Sequence, residues 1–299
     1  MQISIPVPPS FNFKRTALSH GWRSLLPFEF DEATWTITRV LDLEGEDKPP
    51  ITVHISAQAG ALLVDTQRRK LGKRDIAKIT RDVRHMLRLD DEMSVFYEAV
   101  ANEPQFSWIV SEGAGRLLRS PTVYEDLVKT ICTTNCSWAL TTKMVEGLVN
   151  NLGRSVPEDG RRAFPTPEAM AAEPESFYRD TVRAGYRAGY FKELAERVAT
   201  GDLDVESWLT SELSTDELKR EMKRVKGVGE YAADNLLKLL GRYDCLALDS
   251  WVRATFSRLH NKGRAADDRK IARHYARFRE WRGLALWCDI TRDWIKDEG

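Results

Sequence analysis

The stretch KRVKGVGEYAADNLLKLLGRYDCLALDSWVR (residues 223–253) brings basic residues, a Gly-Val-Gly turn, a helical run and one acid, Asp249, into a single segment. The turn Lys226-Gly227-Val228-Gly229 presents main-chain N–H groups with little side-chain cover, because glycine reaches dihedrals closed to other residues. The helical run after it aims its positive dipole end at the same spot, which makes a ready anion site. Lys223, Arg224 and Lys226 add charge there. A helix–turn–helix joint with ordinary glycine punctuation has the same residues. Asp249 follows the apolar CLAL and opens the helical SWVRATFSRL, where its local role is an N-cap.

The elements that must position these residues follow from periodicity. WTITRVLDL (35–43), ITVHIS (51–56) and ALLVDT (61–66) are rich in β-branched residues and separated by GEDKPP and QAG, a pattern of antiparallel strands. From about Asp75 the period turns helical, with Ile76, Ile79, Val83, Met86 and Leu87 on one stripe. Helical patterns continue to the end, cut by turn-rich stretches at 153–168 and 241–248. Ser214 and Glu217 fit a capping box, which starts the helix before the turn. The fold class is therefore α+β: an N-terminal antiparallel β-sheet domain over 1–100, followed by a helical domain over 101–299.

Bulk composition narrows the function classes. The 299 residues carry 45 Lys plus Arg against 45 Asp plus Glu, a net charge of zero that argues against a purely electrostatic nucleic-acid binder. Basic clusters at 67–74, 219–226 and 262–273 leave room for a local basic face. No apolar run is long enough for a bilayer and the N-terminus lacks a signal peptide's core, so no membrane partner is expected. Cys132, Cys136, Cys245 and Cys288 form no CxxC pair and read as reduced thiols. The expected location is cytoplasmic, at the nucleoid in a bacterium, or nuclear in a eukaryote.

A hairpin of the form (L/V)xGVGxxxA followed by Asp249 resembles the helix-hairpin-helix DNA glycosylase superfamily, HhH-GPD. YEDLVKTICTTNCSWALTTKMVEGLVNNLG (124–153), FPTPEAMA (164–171), GYRAGY (185–190) and EWRGLALW (280–287) are similar, in order, to segments of the 8-oxoguanine and 3-methyladenine glycosylase branches. The resemblance covers about residues 115–295. It implies an enzyme of base-excision repair, a DNA N-glycosylase that takes damaged double-stranded DNA as its partner and works as a monomer.

By the same resemblance Asp249 is the catalytic carboxylate, and Asn135, Tyr186 and Arg187 lie where the duplex is opened. Tyr186 is expected to wedge at the lesion pair, with Asn135 and Arg187 on the orphaned base. Gly227, Val228 and Gly229 with Lys223, Arg224 and Lys226 are the expected DNA clamp. The carbonyls of Lys223, Val225 and Val228 would hold a monovalent cation, K+ or Na+. No iron–sulfur cluster and no other cofactor is implied. Tyr231 stands where bifunctional relatives carry the Schiff-base lysine, which implies a monofunctional enzyme without lyase activity. Lys226 and Lys238 fall at other places in the motif.

The base pocket is expected from Tyr231, Asn235, Trp251, Gly283 and Trp287. Asn235 and Gly283 replace the cysteine and the base-reading glutamine of 8-oxoguanine enzymes. Aromatic faces suit cationic alkylpurines, so a base such as 3-methyladenine is preferred, with 8-oxoguanine or a deaminated base as the alternative. A non-catalytic helix-hairpin-helix DNA-binding module is the alternative of another class.

Overall fold

In the computed structural model, which describes residues 1–43, Gly45 and residues 48–295, alternating apolar residues build one antiparallel sheet. Its strands are β1 (Gln2–Pro6), β2 (Phe28–Asp31), β3 (Thr36–Leu41), β4 (Ile51–Gln58) and β5 (Ala61–Thr66), in the order β1-β5-β4-β3-β2. Register places Ile3 opposite Val64, Val64 opposite Ile55 and Ile55 opposite Ile37. All four are buried, so one apolar row crosses the sheet and pins its register. The three strands expected from sequence are present. β1 and β2 are additional, and each is only a few residues long.

Helix α1 (Lys73–Met86) begins where Asp75 accepts the Gly72 N–H and buries Ile79, Val83 and Met86 of the predicted stripe, with Ile76 half-buried and Leu87 buried just past its end. It lies against β1. Helix α2 (Val123–Thr133) starts with its Val123 and Tyr124 N–H groups donated to Glu206, both at 2.9 Å. Helix α3 (Trp138–Leu152) and helix α4 (Ala188–Ala199) follow. Arg39 of β3 makes a bidentate pair with Glu125 of α2 at 2.9 and 2.5 Å, and Lys129 reaches the same carboxylate at 2.6 Å. All three are buried. Burial works to raise the Glu125 carboxyl, but Arg39 and Lys129 outweigh it and hold it below its usual range. A buried cluster of this kind ties strand to helix, and losing one partner leaves an uncompensated charge.

Four further helices carry the candidate site: α5 (Thr215–Met222), α6 (Glu230–Leu239), α7 (Ser250–His260) and, after α8 (Asp268–Tyr275), α9 (Arg282–Thr291). The capping box at Ser214 is formed, with the side chains and N–H groups of Ser214 and Glu217 exchanged reciprocally.

The chain divides into two compact units, and neither is continuous in sequence. One comprises Met1–Pro9, His20–Asp90 and Leu118–Thr210, and holds the sheet with α1 to α4. The other comprises Ser10–Ser19, Asp91–Leu117 and Ser211–Gly299. Its core joins Phe96 and Phe106 to Phe256, Tyr275, Phe278 and Leu286. The division near residue 100 drawn from strand and helix content separates element types, whereas these units interleave segments from both sides of it.

Candidate active site

Two glycines shape the turn between α5 and α6, for different reasons. Gly227 has φ of +90°, a conformation that side chains resist. Gly229 is the N-cap of α6 with φ −87° and ψ −172°, which any residue adopts, and a Cβ there would meet nothing within 4 Å. Neither dihedral strain nor crowding demands glycine at 229, and its main chain is left without side-chain cover. Val228 is buried, and its N–H donates to the Val225 carbonyl at 3.1 Å.

The basic residues around this turn are largely engaged. Lys219 pairs with both Glu230 and Asp234 at 2.6 Å, Lys223 pairs with Glu230, and Arg224 pairs with Glu221 at 2.8 Å. Lys219 and Lys223, in that order, hold the Glu230 carboxyl below its usual range. The charge expected at the turn is thus partly neutralised within the protein. Exposed pairs of this sort contribute little, about 0–1 kcal/mol each.

From α6 the chain crosses a loop, and this loop is fixed by its main chain. The Arg242 guanidinium donates to the carbonyls of Ser211 and Leu213, the Gly283 N–H donates to the Tyr243 carbonyl at 2.7 Å, and Arg282 Nε donates to the Asp244 carbonyl at 2.6 Å. A Cβ on Gly283 would lie 2.0 Å from the Cys245 carbonyl oxygen. Gly283 therefore lets the start of α9 press on the loop, and the space a longer side chain would need there is occupied by backbone. The loop delivers Asp249 to the head of α7, where Oδ1 accepts the Val252 N–H at 2.7 Å. The cap holds one carboxylate oxygen, and the other is the candidate for chemistry.

Two residues beyond Asp249, Trp251 belongs to a cluster of three tryptophans. Trp251 is 41% exposed, and its ring lies 6.1 Å from Trp287 and 5.8 Å from Trp294, with Trp287 and Trp294 edge-to-face at 5.7 Å. Trp287 is 9% exposed, anchored by its Nε1–H to the Ser19 carbonyl at 2.8 Å. Trp294 was not among the expected pocket residues; in sequence it is one tryptophan of nine, with no motif to mark it.

Lys238 is the other residue missed. Only 2% exposed, it places Nζ 4.1 Å from the centre of the Trp287 ring. Burial pushes its ammonium down to about 8, against the opposing pull of Asp249 and Asp234. A signal existed: Tyr231, Asn235 and Lys238 are spaced by four and three residues, so they share one face of α6. Seven residues separate Tyr231 from Lys238, about 10 Å along the axis. Asn235 turns its amide back onto the Tyr231 carbonyl at 2.8 Å.

The expected duplex-opening residues lie in the other compact unit. Asn135 is exposed with φ of +47°, a left-handed conformation that asparagine tolerates, and its Nδ2 is 3.5 Å from the Tyr186 hydroxyl. Tyr186 is 56% exposed. Arg187, expected on the orphaned base, is 3% exposed in the chain without DNA; it donates to the Thr134 hydroxyl at 3.3 Å and to the Thr134 carbonyl, and stacks 4.5 Å under the Tyr186 ring. So placed, Arg187 braces the loop that carries Asn135 and supports the tyrosine.

Comparison with known proteins gives this geometry a family. A family model described as HhH-GPD superfamily base excision DNA repair protein matches residues 128–280, about half the chain. No curated protein sequence matches. Among solved structures, 3-methyladenine DNA glycosylase from Archaeoglobus fulgidus is similar with a TM-score of 0.76 at 20% identity, covering 98% of this chain and 100% of that one. The apo 8-oxoguanine glycosylase/lyase from Clostridium acetobutylicum is similar with a TM-score of 0.73 at 19% identity, covering 97% and 95%. The 3-methyladenine DNA glycosylase from Schizosaccharomyces pombe, in complex with abasic DNA, has a TM-score of 0.52 at 20% identity, covering 70% and 100%. At such identities the structures speak for the fold, while the family match covers the hairpin, Asp249 and the loop between them: this chain belongs to the HhH-GPD superfamily of base excision DNA repair proteins.

Proposed function

We propose that this protein is a monofunctional DNA glycosylase that takes a damaged purine out of duplex DNA and hydrolyses its N-glycosidic bond with Asp249. The observation that carries this reading is Asp249 itself, fixed by the α7 cap beside a tryptophan cluster. Breaking the bond builds positive charge on the sugar, and a fixed carboxylate stabilises that charge and orients water. A base inside the stack is out of reach, so the nucleotide must flip and the gap be filled. The exposed Tyr186 ring, braced by Arg187 and bonded to Asn135, has the size and rigidity of such a filler. The bare amides at Gly229 suit a phosphate, and the Val225 carbonyl, which accepts the Val228 N–H at 3.1 Å, keeps a lone pair for a monovalent cation shared with the carbonyls of Lys223 and Val228.

Monofunctional chemistry is supported by Tyr231 at the hairpin end of α6, where a tyrosine forms no Schiff base. For the base, Trp251 and Trp294 keep exposed faces on which an alkylpurine such as 3-methyladenine can stack. Trp287 favours a second reading, a neutral oxidised or deaminated base, because its face already holds the Lys238 ammonium. Single-lesion duplexes incubated with the protein and then cleaved with alkali test all of this. Release of a base with the strand intact until alkali supports the proposal. DNA binding with no release from any lesion supports a non-catalytic module instead.

A further inference from the structure

We propose that Lys238 is a specificity-determining residue: its ammonium, held over the face of Trp287, favours a base that leaves as an anion over one that is cationic in the pocket. This rests on the glycosylase reading above and names the substrate class for it.

The geometry is built rather than incidental. Lys238 is buried, its side chain is fixed by the Trp287 ring of α9, and it shares a face of α6 with Tyr231 and Asn235. Asp249 faces it from the head of α7 and Asp234 from its own helix, and Asp234 is itself bound at 2.6 Å by Lys219 of α5. Cys245 of the connecting loop also acts on Asp234 and Lys219, but burial pushes its thiol up to about 12, so it stays neutral. A lysine buried this way is costly as a cation, and an apolar residue would fill the space without that cost. What a cation supplies here is a field at the base.

The chemistry separates two kinds of substrate. When a neutral base leaves, both electrons of the C1′–N bond go to the base while water adds its hydroxyl to C1′ and releases a proton that neutralises the departing anion. Negative charge therefore develops on the base, and a fixed ammonium stabilises it without being consumed. A cationic alkylpurine leaves as a neutral molecule and gains nothing. It also enters a pocket whose Trp287 face already carries a like charge, which opposes the cation–π attraction it would otherwise find. Asp249 serves both kinds, because charge on the sugar is common to them.

The test compares single-turnover excision of a neutral lesion (hypoxanthine and 8-oxoguanine) with a cationic one (3-methyladenine) from pH 6 to 9.5, for the wild type and Lys238→Met. Measuring both proteins cancels the titration of the lesion itself. The wild type should lose neutral-base excision as pH rises through about 8, where Lys238 sheds its proton. Lys238→Met should lack that limb, excise neutral bases about tenfold more slowly or worse, and excise 3-methyladenine as well as or better than the wild type. Equal slowing of both lesion classes with an unchanged pH profile would overturn the proposal. Tryptophan fluorescence titrated without DNA gives a readout independent of activity and of the variant's folding: a transition near pH 8 in the wild type marks the ammonium over Trp287, and its absence overturns the placement. Excision of no lesion with that transition intact would overturn the glycosylase reading, and this role with it.

Discussion

Gly229→Ala separates what the hairpin does for the fold from what it does for DNA. The position has φ −87° and ψ −172°, and an added methyl meets nothing within 4 Å. Alanine is a poorer N-cap than glycine, a cost of about 0.5–1 kcal/mol. It also lowers the entropy of the unfolded chain, a gain of about 0.4–1 kcal/mol. The two offset, so stability should change by less than about 0.5 kcal/mol in urea unfolding. If a phosphate approaches the bare amides, the methyl stands in its path. Loss of one charge-assisted hydrogen bond, about 1.5–3 kcal/mol, weakens binding roughly 10- to 100-fold. Fluorescence anisotropy at fixed salt, with undamaged duplex and duplex carrying an abasic analogue, should show that loss for both. Gly227→Ala is the contrast: at φ +90° it should lower stability by about 1 kcal/mol or more. Wild-type affinity of Gly229→Ala for both duplexes would refute the phosphate site, and a loss confined to the abasic duplex would move the turn into the base pocket.

Gly283→Ala forces a Cβ to 2.0 Å from the Cys245 carbonyl oxygen, and because the obstacle is backbone, stability should fall by about 3 kcal/mol, with excision falling too as the loop before Asp249 shifts; thermal unfolding and single-turnover rates check both. Glu125→Gln should destabilise by about 3–5 kcal/mol by leaving Arg39 and Lys129 buried without their carboxylate, read by urea unfolding. The Lys238 ammonium titrates lower in the folded chain, about 8, than in the unfolded one, so between these values the unfolded chain binds more protons and stability from this group rises with pH. In Lys238→Met the rise between pH 8 and 10 should shrink by about 2 kcal/mol, with no loss of stability at pH 7. With Tyr231 in place of an amine, borohydride should trap no covalent protein–DNA adduct, and a trapped adduct would end the monofunctional reading.

Much of the fold was legible because its signals are local. Alternation marked β3, β4 and β5, and the Ser214–Glu217 pair marked the start of α5. β1 and β2 run for only five and four residues, too short for alternation to stand out from chance. The interleaved units were hidden because periodicity reports which face is buried but not against what. At the site, Asp249 could be read as a cap and so as a fixed carboxylate, and both rest on neighbours in sequence. The contact of the Arg187 guanidinium with Thr134, 53 residues away, is not legible, because nothing local signals it. The placement of Lys238 is not legible for a related reason. Its meaning comes from Trp287, a residue on another helix, and lysine in a helical run reads as surface until that neighbour is known.

Single-turnover release of the base by Asp249→Asn, on whichever lesion the wild type excises best, tests the central claim most directly. Asparagine still offers an oxygen to the Val252 N–H, so α7 should keep its cap and DNA affinity should stay within about threefold. A neutral amide does not stabilise a sugar cation, and the rate of base release should fall by about three orders of magnitude or more. A variant that folds, binds DNA and releases the base at a near-normal rate would contradict the assignment of Asp249 and the mechanism built on it.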